Sequence, residues 1–129
     1  MTTIEQISDH LQFLGYEVTS DDRATKAIHS EKWNLFIKPL KGGVLFTSFL
    51  TGNNYAKNKK NKQAYLEFIN STNQVSSVTR FYADNDFDLV MEAVWPGDYS
   101  KIGFGEFIEQ WDADTRIRLL QSGANKFLE

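Results

Sequence analysis

Residues 33–51, WNLFIKPLKGGVLFTSFLT, decide the fold of this chain. They predict two strands, 33–40 and 44–51, joined by a tight hairpin turn at Lys41-Gly42-Gly43. Both faces of this hairpin carry bulky apolar side chains. On the first strand Trp33, Leu35 and Ile37 lie opposite to Phe36, and on the second strand Val44, Phe46 and Leu50 lie opposite to Leu45 and Phe49. A sheet with one solvated face would alternate more cleanly between apolar and polar residues. The second face therefore needs a cover, either from its own chain or from a partner.

Further strands and three helices surround this hairpin in the sequence. Apolar and turn patterns predict strands at 16–19, 25–30, 75–83 and 87–95, and helices at 4–14, 55–71 and 104–121. The last helix carries a stripe at helical spacing, formed by Phe104, Phe107, Ile108 and Trp111. The order helix, strands, helix, strands, helix predicts an α+β fold, with an antiparallel sheet packed by helices.

Composition limits the class of protein. A chain of 129 residues is one domain by length, and its net charge of -3 argues against a dedicated nucleic-acid binder. Aromatic residues make up 14% of the chain, a high fraction that suits a binding surface as well as a core. The absence of cysteine, of a signal peptide and of a bilayer-length apolar run leads us to expect a cytoplasmic protein without a membrane contact.

Catalytic and metal-binding patterns are weak. Two histidines without cysteine do not predict a zinc site, and no nucleophile elbow accompanies them. Asp84, Asp86 and Asp88 space like the start of a calcium loop, but later positions of that loop are wrong and a hairpin turn is the better interpretation. The acids of the last helix, including Asp112 and Asp114, are expected to face solvent. We therefore predict no enzyme activity, no metal and no cofactor.

The strongest charge feature is a lysine cluster formed by Lys57, Lys59, Lys60 and Lys62. It falls near the start of the second predicted helix, where backbone N–H groups favour anions. The cluster is either a solvated helix end or a site for phosphate, an acidic peptide or nucleic acid. A functional site of this kind would bind its ligand with strong salt dependence.

Several short segments resemble the YbjN family. They are the helix end and strand entry Leu14-Gly15-Tyr16-Glu17-Val18, the helix end Phe68-Ile69-Asn70, and the hairpin pieces Arg80-Phe81-Tyr82 and Asp88-Leu89-Val90-Met91-Glu92. Members of that family are labelled sensory transduction regulators of bacteria. The resemblance implies one YbjN-like domain over residues 1–129, with a fold similar to type III secretion chaperones in the order α-β-β-β-α-β-β-α. Such chaperones work as dimers that hold extended peptides.

Together these features predict a non-enzymatic protein-binding module with a chaperone-like or regulatory role. An apolar sheet surface or a strand edge would accept a second subunit, forming a homodimer, or an extended protein or peptide client. The candidate residues for this surface are Trp33, Phe36, Phe46, Phe49 and Trp95. The alternatives are that these aromatic residues belong to the core, and that the lysine cluster binds anions or nucleic acid.

Overall fold

A six-stranded antiparallel sheet forms the centre of the computed structural model, which describes all of residues 1–129. The strands are β1 (Glu17–Ser20), β2 (Thr25–Ile28), β3 (Leu35–Leu40), β4 (Gly43–Leu50), β5 (Arg80–Ala83) and β6 (Leu89–Pro96). Their order across the sheet is β1-β2-β3-β4-β6-β5. The predicted α+β class is confirmed. The first block has four strands, as its segments predict, which is one more than in the order implied by the family resemblance.

Helices connect and follow the strands. They are α1 (Thr3–Phe13), α2 (Asn54–Lys57), α3 (Lys62–Val75), α4 (Lys101–Asp112) and α5 (Leu119–Gln121), with the π-helical segment Ala113–Arg118 joining the last two. The second predicted helix is interrupted, because Asn58 is extended (ψ 123°) and its side chain accepts a hydrogen bond from the Lys60 N–H. None of these helices combines the length and the apolar composition needed to cross a bilayer.

The central hairpin forms as the sequence predicts. β3 and β4 pair from Leu40 opposite Gly43, which leaves a two-residue turn with Gly42 at φ +79°. A Cβ on Gly43 would lie 2.3 Å from the carbonyl oxygen of Trp95, so only glycine lets β4 approach β6 this closely. β4 then pairs with β6 along all eight of its residues. The hairpin therefore forms the middle of the sheet, and its side chains contribute to both faces of the sheet.

All the long helices pack on one face of this sheet. Their apolar stripes join the strand residues in one cluster of 23 buried side chains. The predicted stripe of the last helix is buried as expected, from Phe104 to Trp111. The inward residues of β6, namely Leu89, Met91 and Ala93, meet it from the sheet. Helices thus cover one sheet face and leave the other without a cover from this chain.

Two expectations about the second half of the chain are wrong for one shared reason. The strand expected at 75–83 begins only at Arg80, and Asp114, expected in solvent, is fully buried. The Asp114 carboxylate accepts the backbone N–H groups of Ser77, Val78 and Thr79 at 2.8, 2.8 and 3.0 Å. Those three residues therefore donate to a side chain instead of to a neighbouring strand.

Candidate functional site

The candidate site is the sheet face that no helix covers. Side chains alternate along each strand, so the residues between the core positions project to this second face. We call it the open sheet face and define it by its apolar members: Phe36, Leu45, Phe49, Tyr82, Val90 and Val94. They come from four neighbouring strands, and the strand pairing places Leu45 beside Val94 in one row and Phe49 beside Val90 and Tyr82 in another.

Phe36, Phe49, Val90 and Tyr82 form a contiguous aromatic and aliphatic patch on this face. The Phe36 and Phe49 rings meet edge to face, with their centroids 5.8 Å apart. Phe49 is nevertheless 53% exposed, which is unusual for a phenylalanine in a central strand. Val90, beside it on β6, is buried without belonging to the core cluster. A shallow hollow of about 360 Å³ lies over this patch. An apolar surface of this kind marks a contact site more often than a solvated face.

Charged groups of both signs border the patch. Arg80 Nε donates to Glu92 Oε1 at 2.8 Å, and this pair lies in one row with Thr47 and Phe36 across the sheet. The Lys26 ammonium lies over the Phe36 ring, 5.6 Å from its centroid. Desolvation raises the pKa of Tyr82, and the Glu92 carboxylate raises that pKa further. The polar row of Thr47, Glu92 and Arg80 therefore runs between the apolar rows of this face.

The five aromatic residues predicted for the partner surface do not lie together. Phe36 and Phe49 are on the open sheet face, whereas Phe46 is fully buried under the helices. Trp95 also faces the helices, with its ring centroid 5.6 Å from that of Phe104. Phe46 and Trp95 are therefore core residues. Phe46 lies two residues from the buried Val44 on β4, and Trp95 lies four residues from the buried Met91 on β6, so both project to the helix-covered side of the sheet.

Trp33 lies at a third location. Its indole Nε1–H donates to the backbone oxygen of Thr115 in the π-helical segment, at 2.7 Å, and its ring is 41% exposed. Trp33 precedes β3 and sits at the helix-covered side of the sheet, beside the end of the last helix. It therefore belongs to a surface separate from the open sheet face.

The lysine cluster spans the interruption between α2 and α3. Lys57 Nζ lies 3.1 Å from Asp88 Oδ1, and this hydrogen bond raises the Lys57 pKa. Lys59, Lys60 and Lys62 are exposed around a wide, shallow hollow that also includes Glu67. One of the four lysines is thus occupied by an ion pair, and anion binding by the others remains a prediction.

The aspartates of the β5–β6 turn and His10 have local partners. The Asp84 carboxylate accepts the N–H groups of Asp86 and Asp88, as in a turn, although oxygens of all three acids lie within 4.8 Å of one another. His10 Nδ1 lies 2.7 Å from the Tyr99 hydroxyl. Desolvation, followed by the positive charge of Lys101, lowers the His10 pKa. His10 belongs to α1 and therefore lies in the helix layer, away from the open sheet face.

Four members of the open sheet face were absent from the sequence-based candidates: Leu45, Tyr82, Val90 and Val94. The signal for two of them is present, because strict alternation in residues 87–95 places Val90 and Val94 opposite the core positions. Tyr82 can be assigned to the open sheet face only when the pairing of β5 with β6 is known, because that pairing places Tyr82 opposite Val90. The aromatic candidates were selected because their side chains are large. The sheet face that a residue occupies depends instead on its odd or even position along the strand.

Comparisons with known proteins bear on the fold. Neither a scan against protein-family models nor a search of curated proteins gives a match. Among solved structures, one similar chain is the crystal structure of YbjN, described as "a putative transcription regulator from E. coli". The two share 14% sequence identity at a TM-score of 0.73, over 98% of this chain and 95% of the other. The resemblance seen in the sequence is thus confirmed at the level of structure, and this chain has a YbjN-like fold.

Proposed function

We propose that this protein is a non-enzymatic protein-binding module with a regulatory or chaperone-like role, and that the open sheet face is its contact surface. The observation that carries this proposal is Phe49: a large apolar side chain in a central strand, 53% exposed, with its ring edge to face against Phe36. Exposed apolar patches are typical of protein contact sites. The regulator description of the YbjN structure agrees with such a role.

The partner we propose is a second copy of the chain. Two open sheet faces packed against each other would form a sandwich with an apolar layer about 10 Å thick. Such a contact would cover Phe49, Tyr82 and Val94 together. The open sheet face carries both signs of charge, with Lys26 and Arg80 positive and Glu92 negative, so a two-fold arrangement can pair opposite charges.

A protein or peptide client is the other partner that this surface would suit. An extended segment would place alternate apolar side chains into the hollow of about 360 Å³ beside Phe36 and Tyr82. Client and second copy would compete for the same residues. We expect the module to act in the cytoplasm, in keeping with a chain that has no cysteine.

Sedimentation equilibrium on matched variants tests this proposal. We expect a dimer for the unaltered protein, and Phe49→Glu should weaken dimerisation at least about a hundredfold, because a buried unpaired carboxylate is costly. Ile102→Glu is the control, since Ile102 is 77% exposed on α4, away from the open sheet face. A monomer at high concentration, or an equal effect of both variants, would overturn the second copy as the partner.

A further inference from the structure

A second cavity lies on the opposite side of the molecule, where the last helix meets the end of the chain. It has a volume of about 760 Å³, within the range of small-molecule sites. Its walls are the residues before β3, the end of β4, the π-helical segment and the C-terminal residues. None of the apolar residues of the open sheet face lines it, so it is independent of the proposed function.

The floor of this cavity is apolar and incompletely covered. Ile117 and Leu120 are 60% and 55% exposed, and Trp33 lies across from them. The apolar lining is completed by Leu50, Ala113, Leu119, Ala124 and Leu128. These side chains come from three separate parts of the chain and converge on one concave surface. A concave apolar surface built in this way is suited to enclosing the apolar part of a ligand.

Fixed contacts hold the walls of the cavity in place. The Trp33 indole is anchored to Thr115 of the π-helical segment at 2.7 Å. On the opposite wall, the C-terminal residues pair with the chain after β4: Asn53 donates to the Phe127 carbonyl at 2.8 Å, and Glu129 to the Thr51 carbonyl at 3.1 Å. π-Helical segments within helices are found frequently at functional sites. The cavity is therefore formed before any ligand binds.

The charges at the mouth indicate which ligands fit. Glu31, Glu109 and Glu129 line the cavity, and none of them takes part in an ion pair. The Asp112 carboxylate is taken by Lys32 at 2.6 Å, and Arg116 is the one cationic side chain in the lining. Free carboxylates thus outnumber free cations around an apolar floor. This combination favours a positively charged ligand with an apolar body.

We propose that this cavity binds a small cationic amphiphile. The apolar chain or ring system lies on Ile117, Leu120 and the face of Trp33. The positive charge lies at the mouth, among Glu31, Glu109 and Glu129, and the Trp33 ring offers an additional contact to a cation. A basic amphipathic helix of another protein has similar chemistry, but the cavity volume favours the small molecule.

Isothermal titration calorimetry with decyltrimethylammonium below its micelle concentration tests the proposal, with decyl sulfate as the probe of opposite charge and equal chain. Decyltrimethylammonium should bind more tightly, and its affinity should fall as salt is added. Ile117→Ala should weaken binding about tenfold through lost apolar contact. Ile102→Ala, a change of the same type at an exposed residue outside the cavity, should leave the affinity unchanged.

Charge variants test whether the carboxylates at the mouth favour binding of the cationic probe and whether Arg116 opposes it. Glu109→Gln should weaken decyltrimethylammonium binding about threefold, whereas Glu106→Gln on the same helix but outside the lining should not. Arg116→Gln should strengthen it, because the one competing positive charge is removed. Tighter binding of decyl sulfate, equal effects of Ile117→Ala and Ile102→Ala, or no binding of either amphiphile would overturn the proposal. Binding of a basic amphipathic peptide but not of decyltrimethylammonium would replace the small molecule by a protein helix.

Discussion

Asp114 and Val78 are joined across 36 positions of the chain by a hydrogen bond of 2.8 Å, from the Val78 N–H to the buried carboxylate. The same carboxylate accepts the N–H groups of Ser77 and Thr79 and a hydrogen bond from Arg118 Nη1 at 2.7 Å. One side chain thus connects the π-helical segment to the loop that leads into β5. It also sets where β5 begins, and with it the edge of the open sheet face.

Replacing Asp114 by Asn should therefore destabilise the protein strongly. The amide presents N–H groups to backbone N–H groups and leaves Arg118 without its anion, so we expect a loss of about 3–5 kcal/mol in the free energy of unfolding. Urea denaturation followed by circular dichroism measures it. Asp98→Asn, at an exposed acid without an ion pair, is the control and should change stability by less than about 0.5 kcal/mol. Similar losses for both variants would remove the special role of Asp114.

Phe46 and Phe49 provide a matched pair on opposite faces of one strand. Phe46→Ala should lower the free energy of unfolding by about 3–5 kcal/mol, because it opens a cavity in the core. Phe49→Ala should cost less than about 1 kcal/mol in the monomer, since its side chain is half exposed there. Chemical denaturation at low protein concentration isolates the monomer. If both variants lost the same stability under these conditions, Phe49 would have to be reassigned to the core.

The indole of Trp33 should contribute to stability through its single hydrogen bond. Trp33→Phe removes the N–H that reaches the Thr115 carbonyl while keeping an aromatic ring, so we expect a loss of about 1 kcal/mol. Thermal unfolding gives the measurement. In the ¹H–¹⁵N spectrum the Trp33 indole signal should also exchange slowly with solvent. Rapid exchange together with unchanged stability would contradict this hydrogen bond.

His10 should make stability depend on pH near neutrality. Burial first, and the positive charge of Lys101 second, hold the His10 pKa below its usual value of 6.5. The unfolded chain therefore binds more protons than the folded protein as pH falls through that value, and the free energy of unfolding decreases. His10→Gln removes this decrease.

The test compares unaltered protein and His10→Gln at two pH values. At pH 8 the variant should be less stable, because it lacks the contact with the Tyr99 hydroxyl. At about pH 5.5 the difference should shrink, since only the unaltered protein suffers from protonation of the unfolded His10. A difference of the same size at both pH values would show that His10 keeps its ordinary pKa in the folded state.

Much of this fold follows from the sequence, because its strongest signals are local. The hairpin turn at Gly42, the alternation from Leu89 to Ala93 and the helical stripe from Phe104 to Trp111 each depend on residues close in the chain. The apolar second face of the hairpin was predicted to need a cover, and the structure places no helix there.

What could not be predicted depends on contacts between distant residues. Asp114 falls where the buried stripe of the last helix continues beyond Trp111. An acidic residue at that position is nevertheless expected to be exposed, unless the three backbone N–H groups that donate to it are known. Trp33 was assigned by size to the partner surface, and only the Thr115 carbonyl, 82 positions away, explains its place. Alternation places Phe46 and Phe49 on opposite faces of β4, but which of the two faces the helices cover depends on contacts with distant residues such as Phe104.

The open sheet face can be examined directly by pulsed electron resonance between spin labels on two copies. The chain has no cysteine, so a single label can be attached at Lys38→Cys beside the open sheet face, or at Gln12→Cys on α1, in the helix layer. Packing of the two open sheet faces predicts that the α1 labels are separated by two sheets and two helix layers, about 30 Å or more. The Lys38 labels should be closer to each other than the α1 labels. The reverse order of these distances, or no coupling between copies, would contradict this surface as the contact.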